Sequence, residues 1–152
     1  MNKTQRSLLR KMLEKRRRKN PPTHCSYRVV SDDIFSWQGA IMGPLDTPFE
    51  GVFFLSINFP NNYPFNPPKI IFKTKVLSLF IYILIISIYF CGYFWKRMES
   101  YLTIDKLLLS IRSFLPDPNA DDPINPISNM YSNERKAYNE KARQWTINYA
   151  MN

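Results

Sequence analysis

The sequence predicts an α+β fold, with a helix at the N-terminus, a four-stranded antiparallel meander in the first half, and two or three helices at the C-terminus. Three observations predict it. Apolar residues recur at helical spacing near the N-terminus, four short β-rich segments divided by turn residues fill 27–72, and helical spacing returns after residue 101. With 152 residues, 45% of them hydrophobic and 15% aromatic, the chain can bury one substantial core, and a single domain over residues 1–152 is expected.

The first helix is expected from Thr4 to Lys19, where Leu8, Leu9, Met12 and Leu13 share one face and Asn20-Pro21-Pro22 stops the pattern. The formal charge of the chain is +9, and residues 1–19 hold nine Lys or Arg against one Glu, so nearly all of it belongs to this element. Because the rest of the domain is close to neutral, no nucleic acid partner is expected. The run Lys15-Arg16-Arg17-Arg18-Lys19 suits phosphate binding or an import signal, and equally a solvated face or a dock for an acidic partner.

Strands are expected at Tyr27–Val30, Phe35–Met42, Val52–Phe59 and Ile70–Phe72, joined by segments with their own turn chemistry, such as Ser31-Asp32-Asp33 and Asn61-Asn62-Tyr63-Pro64. Helix resumes behind Thr103, a suitable N-cap with Asp105 in the first turn, and puts Ile104, Leu107, Leu108, Ile111, Phe114 and Leu115 on one face. The Pro-rich stretch 116–123 ends it. A last helix from about Glu134 to Ala150 aligns Tyr138, Ala142, Trp145 and Tyr149, read as core rather than as a binding box.

Composition narrows the chemistry. Cys25 and Cys91 are the only cysteines, too few for a disulfide framework, and nothing at the N-terminus reads as a signal peptide, so a cytoplasmic or nuclear setting is expected. His24 is the only histidine and sits in a Pro-rich turn. It supplies neither a zinc set nor a proton shuttle, and no metal or cofactor is expected.

Three motifs go further. Phe35-Ser36-Trp37-Gln38-Gly39-Ala40-Ile41-Met42-Gly43-Pro44, Thr47-Pro48-Phe49-Glu50-Gly51 and Phe59-Pro60-Asn61-Asn62-Tyr63-Pro64-Phe65-Asn66-Pro67-Pro68-Lys69 resemble consecutive signatures of ubiquitin-conjugating enzymes. Leu107-Leu108-Leu109-Ser110-Ile111, the segment 117–123 and Ala142-Arg143-Gln144-Trp145 resemble that family's C-terminal half. The resemblance covers about 20–75 and 102–150, in order. It implies an enzyme that accepts ubiquitin, or a related modifier, as a cysteine thioester from an activating enzyme and passes it to a substrate lysine with a ligase. It further implies that Phe65 faces a RING-type ligase from a proline-stiffened loop, and that the basic helix docks the activating enzyme. Two departures stand out: Gly51 is alone where relatives carry a pair, and 126–131 is one residue short. A slip of one residue would turn a strand's faces over, so the first departure must be absorbed in the turn.

The interval 76–101 breaks the resemblance. The family's His-Pro-Asn motif is absent, and an apolar run from Val76 to Trp95 stands in its place, with no charge between Lys75 and Lys96. Cys91 lies eleven residues before Leu102, close to the position the resemblance implies for the nucleophile, while Asp122 matches the family's acidic residue beside the acceptor lysine and Asn119 lies in the same loop. Tyr89, Phe90, Tyr93, Phe94 and Trp95 would bury Cys91, and burial makes a thiol inert.

Three explanations of the interval stand side by side. A run this long reaches the threshold of about 18 residues for a membrane span, although a span here would put the strands and the late helices, which should share a core, on opposite sides of a bilayer. The chain can also be an inactive member that still binds ubiquitin or a ligase. The third is a retained intron with a frame error: with AGA at Arg97 and TCC at Ser100, reading one base later can turn 97–101 into Glu-Trp-Ser-Pro, the family's own sequence. The mature transcript decides this, and an unbroken reading of the segment would sink it.

Overall fold

The computed structural model describes residues 3–20, 22–78, 103–116 and 126–151. Helix α1 runs from Lys3 to Arg18. Its apolar stripe is the one expected: Leu9 is fully buried, and Leu8, Met12 and Leu13 pack beside it against the sheet. Four basic residues in the last turn suit the negative end of the helix dipole, whereas the first turn contains no acid to suit the positive end.

Strands β1 (Cys25–Val30), β2 (Asp33–Met42), β3 (Val52–Asn58) and β4 (Lys69–Phe72) form an antiparallel sheet in the order β1-β2-β3-β4. The meander is as expected, with β1 and β2 starting two residues earlier than their apolar alternation. Asp33 explains the second extension, since its carboxylate accepts from the Phe35 amide at 3.0 Å and from the Ser36 hydroxyl at 3.0 Å. Alternation then decides the faces. Trp37 pairs with Ile57 and Ile57 with Ile70, while Ile41 pairs with Phe53, and all five side chains are buried.

The lone glycine at 51 is absorbed where it had to be. Met42 still pairs with Val52 and the β2–β3 register has no bulge. Inside the turn, the Gly43 amide donates to the Gly51 carbonyl at 2.8 Å, and a Cβ on Gly43 would overlap the Phe49 carbonyl oxygen. No other residue type fits at this position.

Helix α2 (Ile104–Phe114) crosses the inner face of the sheet. Thr103 is its N-cap, accepting from the Lys106 amide at 3.3 Å. Ile104, Leu108, Ile111 and Leu115 are buried, but Phe114 is 45% exposed, which corrects its place on the expected face. At 3.6 residues per turn Phe114 falls roughly 90° from the centre of that stripe, at its rim.

Helices α3 (Pro126–Asn133) and α4 (Arg135–Ala150) close the fold. On α4 the buried residues are Tyr138, Ala142, Thr146 and Ala150, so Trp145 and Tyr149 are not the core residues expected. Trp145 is half-buried and Tyr149 exposed, their rings meeting edge-on at 5.8 Å. The cause is Gly51: a Cβ there would stand 2.9 Å from both Thr146 and Ala150, so the turn presses on α4 where small side chains admit it.

Two clusters make the core. One joins Leu9, Trp37, Leu55 and Ile57 to Ile104, Leu108 and Ile111, and the other joins Phe49 and Phe53 to Leu115, Tyr131 and Tyr138. Residues from both sides of 79–102 thus share each cluster. Val76 and Leu77 pack on the second, and the Ser78 hydroxyl donates to the Leu115 carbonyl at 3.3 Å. The apolar interval therefore begins inside the fold, and a single membrane crossing within it would tear both clusters apart. Among the described residues no helix is long and apolar enough to cross a membrane.

Candidate functional site

The loop between β3 and β4 is held from below. Phe59 is 6% exposed and stacks edge-on against Trp37 at 4.6 Å, and Tyr63 meets Phe59 edge-on at 4.9 Å. The Tyr63–Pro64 peptide is cis, the Tyr63 amide donates to the Pro60 carbonyl at 3.0 Å, and the Phe65 amide donates to the Asn62 carbonyl at 2.9 Å. The Tyr63 hydroxyl lies 3.9 Å from the Met12 sulfur, which ties the loop to α1. With its base pinned in this way, Phe65 projects 69% exposed.

Phe65→Ala should therefore leave stability within about 0.5 kcal/mol of the parent, as for other exposed positions. A urea midpoint shifted well beyond that would show that Phe65 supports the loop.

The basic run of α1 does not act as a block. Lys15, Arg17, Arg18 and Lys19 are exposed, but Arg16 turns inward. Its guanidinium donates to the Tyr27 carbonyl at 2.7 Å, covers the Tyr27 ring at 3.7 Å, and sits 3.8 Å from an Asp105 carboxylate oxygen. Tyr27 in turn stacks on Trp37 at 5.2 Å, so one guanidinium joins α1, β1 and α2. Sequence reading missed this clasp, although a signal was present. Arg16 follows Met12 by four residues and Leu13 by three, which places it on the apolar stripe.

Burial holds the Tyr27 phenol neutral, assisted by the Asp105 carboxylate, and pushes it from 10.0 up to about 12. Tyr63 is pushed from 10.0 to about 12 by burial. The unfolded chain loses these protons near pH 10 and the folded chain only near pH 12. The stability they contribute is thus whole below pH 10 and drains away between pH 10 and about 12. Urea midpoints should fall between pH 9 and pH 11, and a flat profile would contradict the burial.

Cys25 is the cysteine among the described residues, 5% exposed in the core, and burial pushes its thiol up, with Arg112 partly opposing this. Such a thiol is a poor nucleophile. His24 is exposed and its carbonyl accepts from the Met42 amide at 2.9 Å, a structural role. No His, Cys, Asp and Glu among the described residues form a group able to hold a metal. Cys91, Asn119 and Asp122 lie outside the described residues. What the structure brings together is thus the Phe65 loop and α1, joined through Tyr63 and Met12.

The family model for ubiquitin-conjugating enzymes matches residues 8–146. A candidate ubiquitin conjugating enzyme of Plasmodium yoelii has a solved structure similar to this one at a TM-score of 0.80, with 30% identity over 100% of this chain and 99% of that chain. The conjugating domain of a Toxoplasma gondii ubiquitin conjugating enzyme gives a TM-score of 0.74, with 32% identity over 96% of this chain and 99% of that chain. The sequence match begins inside α1 and ends inside α4, the structural matches extend over nearly the full length of the relatives, and this chain belongs to the ubiquitin-conjugating enzyme family.

Proposed function

We propose that this chain accepts ubiquitin, or a related modifier, as a thioester on Cys91 and delivers it to a substrate lysine, with α1 docking the activating enzyme and Phe65 a RING-type ligase. The observation that supports it best is the docking side: an exposed phenyl on a loop pinned by Tyr63, beside a helix whose outward face is basic. In the first step the Cys91 thiolate attacks the thioester carbonyl held by the activating enzyme, whose own thiolate leaves. In the second the lysine amine attacks the new thioester, an isopeptide bond forms, the amine sheds a proton, and the Cys91 thiolate departs. Asp122 stands as the acidic group beside the acceptor lysine that favours a deprotonated amine, and Asn119, in the same loop, as a further support of that step. The setting is cytoplasmic or nuclear.

A second reading has its own support. The sequence lacks a His-Pro-Asn motif, and the aromatic neighbours of Cys91 disfavour a thiolate. On that reading the chain docks partners without carrying the modifier.

Thioester charging separates the two. Incubation with activating enzyme, ATP and ubiquitin should give a reductant-sensitive adduct that is lost in Cys91→Ser and kept in Cys25→Ser. A folded protein that forms no adduct is a binding module, and the transcript across 76–101 then becomes the next object of study. If charging occurs, Phe65→Ala should charge normally and lose most of its ligase-stimulated discharge.

A further inference from the structure

On the outward face of α1, Lys3, Thr4, Ser7, Leu8 and Lys11 border one shallow, open stretch of surface. Ser7 is exposed, and Lys3 and Lys11 stand four residues before and after it on the same ridge, each about 6 Å away along the helix axis. Neither ammonium forms an ion pair with an acid among the described residues, and Glu14 is the only acid of the helix, seven residues beyond Ser7. Lys3 also occupies the first turn, at the positive end of the dipole, where an anion belongs. The ridge therefore has two cations, a free-standing hydroxyl between them and no counter-charge.

We propose that Ser7 is a phosphorylation site whose phosphate is held by Lys3 and Lys11, and that this phosphate turns down the docking of α1 on its acidic partner. The docking half rests on the reading that α1 receives the activating enzyme. A basic-directed serine kinase would join the γ-phosphorus of a nucleoside triphosphate to the Ser7 oxygen. The bond from that phosphorus to its bridging oxygen breaks, the nucleoside diphosphate leaves, and the hydroxyl proton passes to the kinase's base. A phosphoserine brings a charge of about −1.5 to −2 and three acceptor oxygens into the middle of the cation face. Residues 3–11 contain four Lys or Arg and no acid, so the phosphate would cancel close to half of their charge. The apolar face of α1 is spent in the core, which leaves charge as the main attraction this face can offer a partner.

The test uses the full chain with phosphoserine incorporated at 7, beside the unmodified chain and a phosphorylated Lys3→Gln/Lys11→Gln variant. The phosphorus resonance, followed against pH, should titrate below the usual value of about 6 in the first and return to it in the variant. A resonance that titrates identically in both overturns the site. Binding of the activating enzyme at low salt should weaken about fivefold to tenfold on phosphorylation, and the difference should vanish at about 1 M salt. Equal binding with and without phosphate overturns the regulatory role. If the unmodified chain fails to bind the enzyme while the resonance still depends on the two lysines, the docking reading fails, the regulatory role falls with it, and the phosphate site stands.

Discussion

Tyr138→Ala should lower stability by about 4 kcal/mol, the usual loss for a large buried aromatic ring. Tyr138 is fully buried, meets the Tyr131 ring edge-on at 5.1 Å, and packs with Phe49, Phe53 and Leu115. It thus fastens α4 to elements before and after the apolar interval at once. Tyr149→Ala removes the same side chain from the same helix at a position 44% exposed, and should cost less than about 1 kcal/mol. Urea unfolding of the two variants gives the comparison. Similar losses would mean that the buried stripe of α4 runs through Tyr149 after all.

Arg16→Ala should cost about 3 kcal/mol, against about 0.5 or less for Arg17→Ala. Side chains of Arg16 and Asp105 are 15% and 28% exposed, so the pair is poorly screened by water. Truncation removes a charge-assisted hydrogen bond to the Tyr27 carbonyl and a cation over its ring, and strands the Asp105 carboxylate. Arg16→Lys should recover only some of the loss, because an ammonium keeps the charge without the flat face that stacks on Tyr27. Equal effects at 16 and 17 would show that the clasp contributes nothing beyond a surface charge. The contrast also bears on the import signal suggested by the run. A receptor that takes such a run extended would have to unwind the last turn of α1 and pull Arg16 from the core.

Much of the fold was legible because its signals are local. Alternation in 27–72, the N-cap at Thr103 and the prolines around Tyr63 each act within a few residues, and each element except α3, for which no bounds were expected, appears within about two residues of its expected start, as boundary fraying allows. The exposure of Phe65 was legible for the same reason. The α4 aromatics were not. Helical periodicity draws a stripe, but which edge of the stripe is covered depends on what packs there, and here a glycine 95 residues upstream decides it.

By itself the sequence determined the α+β architecture, the strand order that follows from short connections, the family, and the departure of 76–101 from that family's pattern. Only tertiary structure decided that Arg16 leaves the basic run to clasp Tyr27 and Asp105, that Thr146 and Ala150 replace Trp145 and Tyr149 in the core, and that Val76, Leu77 and Ser78 belong to the fold. The physical reason is common to all three. Periodicity and turn chemistry are properties of neighbouring residues, whereas the burial of a given face is settled by contacts between segments far apart in the chain, and those exist only once the sheet and helices have met.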